Sequence, residues 1–169
     1  MTIAIFRTDT LYGLGCNIND FEEVNKIYRI KNKPFTENLS FLVTDVNEIM
    51  SYAEVSSLEF GKIKDLLKQG SHYTFILRKK QDINLNLSKN NEIGIRVLDN
   101  SDTRIITRLL EGPVICTSAN IHGTKAPKRF EDIDKKVLDS AEIKMNSGDC
   151  YYGKASIVYN LINDRVIRE

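Results

Sequence analysis

The chain has 169 residues, 41% of them hydrophobic, with 24 Lys and Arg against 23 Asp and Glu and a net charge of +1. That size and apolar content predict one mixed α/β domain over residues 1–169, burying about two-thirds of its unfolded surface, and the near balance of charge excludes a uniformly polybasic nucleic-acid binder while leaving room for a local basic patch. No apolar run approaches the ~20 residues that span a bilayer, and the N-terminus lacks a signal peptide's basic start and long apolar core, so a cytoplasmic location is expected.

In chain order, residues 2–6 read as a strand that ends in the polar turn Thr8-Asp9-Thr10, followed by Tyr12-Gly13-Leu14-Gly15. Asp20 with Glu23 three residues on predicts a capped helix carrying Phe21, Val24, Ile27 and Tyr28 and stopped by Pro34. Residues 39–43 read as a strand, Asp45 with Glu48 opens a short helix, and Leu58, Ile63, Leu66 and Leu67 mark another. Residues 73–77 and 93–97 are strands separated by a polar loop rich in Asn and Lys. Ser101 or Asp102 is placed as the cap of a helix carrying Ile105, Ile106, Leu109 and Leu110. Residues 114–117 read as one buried strand ending in Ser118-Ala119-Asn120, with Gly123 beyond. A short helix near residues 131–138 and strands at 156–159 and 165–167 close the chain.

Two strands that end in hydroxyls, a carboxylate and a carboxamide point to one shared polar ligand cleft. Gly13-Leu14-Gly15 lacks the third glycine and the prompt helix of a dinucleotide loop, and is read as a tight turn needing backbone freedom. Lys31 and Lys33 are either solvated cations at a helix end or a pair converging on one anion. Arg96 interrupts an otherwise apolar strand, so it pairs with a carboxylate or binds a ligand. Cys16, Cys116 and Cys150 are odd in number and widely spaced, which predicts reduced, partly buried thiols. His72 and His122 have no partner at metal-ligand spacing, so no protein metal site is expected. Hydroxyls, an amide and cations position and neutralise, and they suit acyl or nucleotidyl transfer without a covalent enzyme intermediate.

Taken together, these motifs resemble the YrdC/TsaC family, the threonylcarbamoyl-AMP synthases of tRNA modification. The resemblance rests on Thr8-Asp9-Thr10-Leu11-Tyr12-Gly13-Leu14-Gly15, Lys31-Asn32-Lys33-Pro34, Tyr73-Thr74-Phe75-Ile76-Leu77, Gly94-Ile95-Arg96-Val97, Thr117-Ser118-Ala119-Asn120 with Gly123, and Gly153 to Ser156, in the family's order. It implies an open, twisted mixed sheet with flanking helices around a concave, positively charged cavity. It also implies that L-threonine, bicarbonate and ATP, with Mg²⁺, give threonylcarbamoyl-AMP and pyrophosphate. The product would pass to a separate transferase complex that modifies adenosine 37 of tRNA.

By the same resemblance, Thr10, Tyr12, Arg96 and Ser156 hold threonine, and Lys31 and Lys33 act as catalytic cations facing its carboxylate and the phosphates. Lys33, Ser118, Asn120 and Arg168 contact the nucleotide. The chain departs from the family pattern at Arg7, Lys33, Glu37, His72, Leu98, Ile157 and Asn160, and within residues 1–169 neither the leading helix nor the second domain of longer members is expected. Two alternatives follow. One is a double-stranded-RNA or tRNA binder using Lys31, Lys33, Arg78, Lys79 and Lys80, and the other is a nucleotide-binding paralogue with weakened turnover.

Overall fold

The computed structural model describes residues 2–35, 37–70, 72–83, 85, 87 and 91–169. The chain opens with a hairpin, β1 (Ala4–Arg7) and β2 (Tyr12–Gly15), followed by α1 (Phe21–Lys31) and β3 (Ser40–Val43). A 3₁₀ turn at Val46–Glu48 leads into α2 (Ile49–Tyr52), β4 (Ala53–Glu54) and α3 (Ser57–Lys68). Next come β5 (Tyr73–Lys79), β6 (Glu92–Val97), α4 (Ser101–Leu109), β7 (Val114–Ile115) and β8 (Thr117–Ser118). A second 3₁₀ turn at Phe130–Asp132 precedes α5 (Lys135–Asp139), β9 (Ile143–Lys144), β10 (Ile157–Asn160) and β11 (Arg165–Arg168).

The strands form two sheets, as the mixed α/β reading requires. The smaller has the order β8-β2-β1-β9, and the larger runs β11-β10-β5-β6-β3-β7, with β4 pairing β5 at its far end. Both contain parallel and antiparallel pairs. Strict alternation in β6 explains its burial: Ile93, Ile95 and Val97 join the main core, while Gly94 and Arg96 face the other way.

The predicted strand at 114–117 is two strands in different sheets. β7 pairs with β3, Cys116 donates its N–H to Ser40 O, and β8 then pairs with β2. This crossover brings two backbones together at Gly15, where a Cβ would lie 1.8 Å from Ile115 O. Gly13-Leu14-Gly15 is therefore a buried strand rather than a turn, and close approach explains the second glycine.

Helix ends also differ from expectation. α1 stops at Asn32 in the left-handed region (φ 50°), so the chain has left the helix before Pro34. Asp20 does cap it, accepting Glu23 N–H at 3.2 Å, but the Glu23 carboxylate turns to Lys26 instead of closing the box. α4 is capped by Asn100, with Thr103 completing a capping box, and not by Ser101 or Asp102. The box expected at Asp45 and Glu48 is present. Phe21, Leu58, Ile105 and Leu109, which belong to the apolar patterns that marked these helices, are exposed at 38–88%. Their helices lie against the sheets over a narrower face than the apolar pattern implies. The two-residue strands β4 and β9 were not anticipated, being too short to show alternation.

Candidate functional site

A cavity of about 280 Å³ opens where the β1–β2 turn and β8 of one sheet face β3, β6, β5 and β10 of the other. Its floor follows from strand register. Ser40, Gly94 and Ile76 form one row across β3, β6 and β5, and Arg96, Thr74 and Val158 lie along the next. Among the described lining residues Lys33, Arg96 and Arg168 carry charge, and none is acidic.

Arg96 is 5% exposed and held at the cavity by both of its terminal nitrogens. Nη1 donates to Thr10 Oγ1 at 2.8 Å and Nη2 pairs with Asp9 Oδ1, while among the described residues Nε has no hydrogen-bond partner. Asp9 Oδ2 meets His72 Nδ1 at 2.8 Å, and the His72 ring stacks on Tyr152 with centroids 4.1 Å apart. Thr8 Oγ1 donates to Leu11 O at 2.6 Å, so the proton in its 2.9 Å contact with Thr10 belongs to Thr10. The Thr10 hydroxyl thus donates to Thr8, accepts from Arg96, and keeps one lone pair for a ligand. Sequence reasoning left Arg96 between salt bridge and ligand contact, and the geometry supplies the salt bridge and places the guanidinium on the cavity wall.

Ser156 and Arg168 also line the cavity and touch one another. Arg168 donates to Ser156 O at 2.9 Å and to Ser156 Oγ at 3.2 Å, and Ser156 Oγ lies 2.8 Å from Thr74 Oγ1. Burial, then the charge of Arg96, lowers the Arg168 pKa, although a guanidinium so placed stays protonated. Thr74 was not singled out in the sequence. Its signal is the one that betrayed Arg96, a polar residue at an alternate position of an apolar strand.

Lys31 and Lys33 do not converge on one anion. Lys31 is 3% exposed, and its Nζ donates to Ser118 O, to Asn120 O at 2.8 Å and to Asn120 Oδ1 at 3.2 Å. It is neither a solvated helix-end cation nor part of the cavity lining. Burial, then Lys33, pushes its pKa down to about 8. Lys33 does line the cavity, with its Nζ 2.7 Å from Glu37 Oε2. Ser118 lines it as well and donates to Asn120 Oδ1 at 2.6 Å, but the Asn120 amide is turned inward to Ile121 O and Thr124 O. Tyr12 borders the cavity, yet its ring is buried edge-on to Phe130 and its hydroxyl donates to Gly148 O at 2.7 Å.

All three cysteines are free and buried, as expected. Burial raises each thiol, Cys150 to about 11, and outweighs the lowering effect of Arg96 on Cys116. Among the described residues no group of three His, Cys, Asp or Glu side chains is placed to hold a metal ion, and no helix is long and apolar enough to cross a membrane. Of the basic residues considered for RNA, Lys31 is buried and Lys79 donates to the carbonyls of Lys80 and Ile83, so the five do not form one exposed patch.

The Sua5/YciO/YrdC family model, described as telomere recombination, matches residues 2–169. A provisionally named threonylcarbamoyl-AMP synthase of Methanocaldococcus jannaschii is 39% identical over 98% of this chain and 77% of that protein. The crystal structure of Escherichia coli YciO superposes with a TM-score of 0.85 at 26% identity, covering 99% of this chain and 82% of that one. Pyrococcus abyssi Sua5, solved with L-threonine, shares the fold with a TM-score of 0.84 at 22% identity, covering 95% of this chain. This chain spans about half, 47%, of that longer one. With a matching family model over nearly every residue and a relative of this identity and coverage, the chain belongs to the Sua5/YciO/YrdC family.

Proposed function

We propose that this chain is an L-threonylcarbamoyladenylate synthase, a nucleotidyltransferase that supplies threonylcarbamoyl-AMP for N6-threonylcarbamoyladenosine at position 37 of tRNA. One observation carries the reading: a cavity lined by three cations and a ring of hydroxyls, with no carboxylate among the described lining residues. Threonine's carboxylate, bicarbonate and the triphosphate are all anions, and such a lining neutralises them together. The names of the 39% identical archaeal relative and of the Sua5–threonine complex support the same substrates.

The chemistry asks little else of the protein. Threonine's amine nitrogen bonds to the bicarbonate carbon as water leaves, giving a carbamate. A carbamate oxygen then attacks the α-phosphorus of ATP, and the bond to the β-phosphate breaks with pyrophosphate taking the electron pair. Alignment and charge neutralisation drive both steps without a protein nucleophile. At about 280 Å³ the cavity lies near the small end of ligand sites, roughly 300–1,000 Å³. It suits the amino acid, its carbamate and the reacting phosphate, with the nucleoside on the rim.

In this reading Thr10, Arg96 and Ser156 hold threonine, and Lys33, Ser118 and Arg168 take the nucleotide. Lys31, Tyr12 and Asn120 act through others by fixing the turns that carry those groups. The described side chains offer no metal cage, so Mg²⁺ would enter as the escort of the triphosphate, and no step is assigned to it. The test is pyrophosphate release from ATP with threonine and bicarbonate omitted in turn. Release that requires both supports the synthase, and release that ignores either contradicts it. ATP binding without release points to the paralogue of weakened turnover.

A further inference from the structure

The ligand-free cavity is less positive than its lining. Arg96 is matched by Asp9 and Lys33 by Glu37, while among the described residues Arg168 meets only Ser156 oxygens. The two carboxylates are held very differently. The Asp9 side chain is 14% exposed and gripped from two sides by Arg96 and His72. Glu37 stands 45% exposed outside the lining, with Oε2 on Lys33 and Oε1 3.9 Å from His122 Nε2.

The Glu37 backbone is fixed, its N–H donating to Pro34 O at 3.0 Å and its carbonyl accepting from Tyr28 Oη at 2.9 Å. Its carboxylate can therefore release Lys33 by side-chain rotation alone. The Lys33 hydrogen bond lowers its pKa, so Glu37 is anionic near neutrality.

We propose that Glu37 is a displaceable counter-ion, holding Lys33 until the phosphates of an incoming nucleotide replace it, and that it thereby sets the affinity of this site for polyphosphates. The inference rests on the nucleotide reading above. The pair is open to solvent on the Glu37 side, at 45% against 15% for Lys33, and half-exposed pairs are weak, so a triphosphate with several charges displaces the carboxylate at a modest cost in affinity. At Arg96 such an exchange is disfavoured, because the Asp9 side chain is 14% exposed and also held by His72.

The experiment is calorimetric titration of ATP, and separately of inorganic tripolyphosphate, into the wild-type chain and Glu37→Gln, each checked for an unchanged thermal melt. Glu37→Gln should bind both probes about two- to fivefold more tightly and L-threonine equally well. In a Lys33→Met background the gain should fall below twofold, because no ammonium remains to be released. Equal or weaker ATP binding by Glu37→Gln overturns the proposal, as does a gain that persists without Lys33. If neither chain binds ATP, the nucleotide reading fails with it. If both bind ATP equally, this inference alone fails.

Discussion

Arg96 and Lys31 are both buried cations, made tolerable in different ways. Arg96 has a full opposite charge in Asp9, so removing the guanidinium takes that charge from a carboxylate only 14% exposed and leaves His72 on its other oxygen. Breaking a buried pair from one side costs about 3–5 kcal/mol when the remaining charge is uncompensated, so with His72 still on Asp9 the Arg96→Met variant should lose up to that much in urea unfolding at neutral pH. Among the described residues Lys31 Nζ donates to neutral oxygens, those of Ser118 and Asn120. Its pKa falls from 10.5 to about 8 in the folded chain, mainly through burial. Below pH 8 the ammonium is charged in both states and its burial counts against the fold. Between pH 8 and 10.5 the unfolded chain binds more protons, so this group makes stability rise with pH, by up to about 3 kcal/mol. The wild type should therefore gain on Lys31→Met across that window in urea midpoints. A constant difference would mean that the three oxygens hold the ammonium at its ordinary pKa.

At the scale of elements, the crossing of β2 over the β7–β8 junction fixes how the two sheets meet. Gly15→Ala places a Cβ against Ile115 O, a backbone atom that moves only if β7 moves. It should cost at least about 2–3 kcal/mol, read as a lowered melting temperature, whereas Gly61→Ala on open α3 surface should be neutral or stabilising. The elements themselves were legible wherever local chemistry decides them. Asp20 and the Asp45–Glu48 box start helices, and the alternation at 93–97 is a strand with one core face. What was not legible depends on partners distant in sequence. Residues 114–117 look like one strand because β-branched and apolar residues run through them, and only pairing with Phe41 on one side and Leu14 on the other divides them. Asn32 ends α1 through its tolerance of positive φ, a subtler stop than Pro34 two residues on.

For the whole molecule, the cavity exists because two sheets share one crossing segment and leave polar faces opposed. The family resemblance marked Thr10, Arg96, Ser156, Lys33 and Arg168, of which Ser156 and Arg168 carry no signal by themselves, and the fold places all five around one space although they lie as far apart as the two ends of the chain. Arg96 could be picked out because a charge in an apolar strand demands a partner, but nothing local names Asp9 as that partner or His72 as the second group on it. The same logic misplaced Lys31. Its position at a helix end is the ordinary setting of a solvated lysine, and only the fold brings carbonyl oxygens from 118 and 120 over it. The measurement that bears most directly on the synthase claim is mass analysis of adenylates formed from ATP, L-threonine and ¹³C-bicarbonate by the purified chain. The account predicts a new adenylate carrying both threonine and one labelled carbon, in step with pyrophosphate. An unlabelled threonyl adenylate, or ATP consumed to AMP with no labelled product, would contradict it.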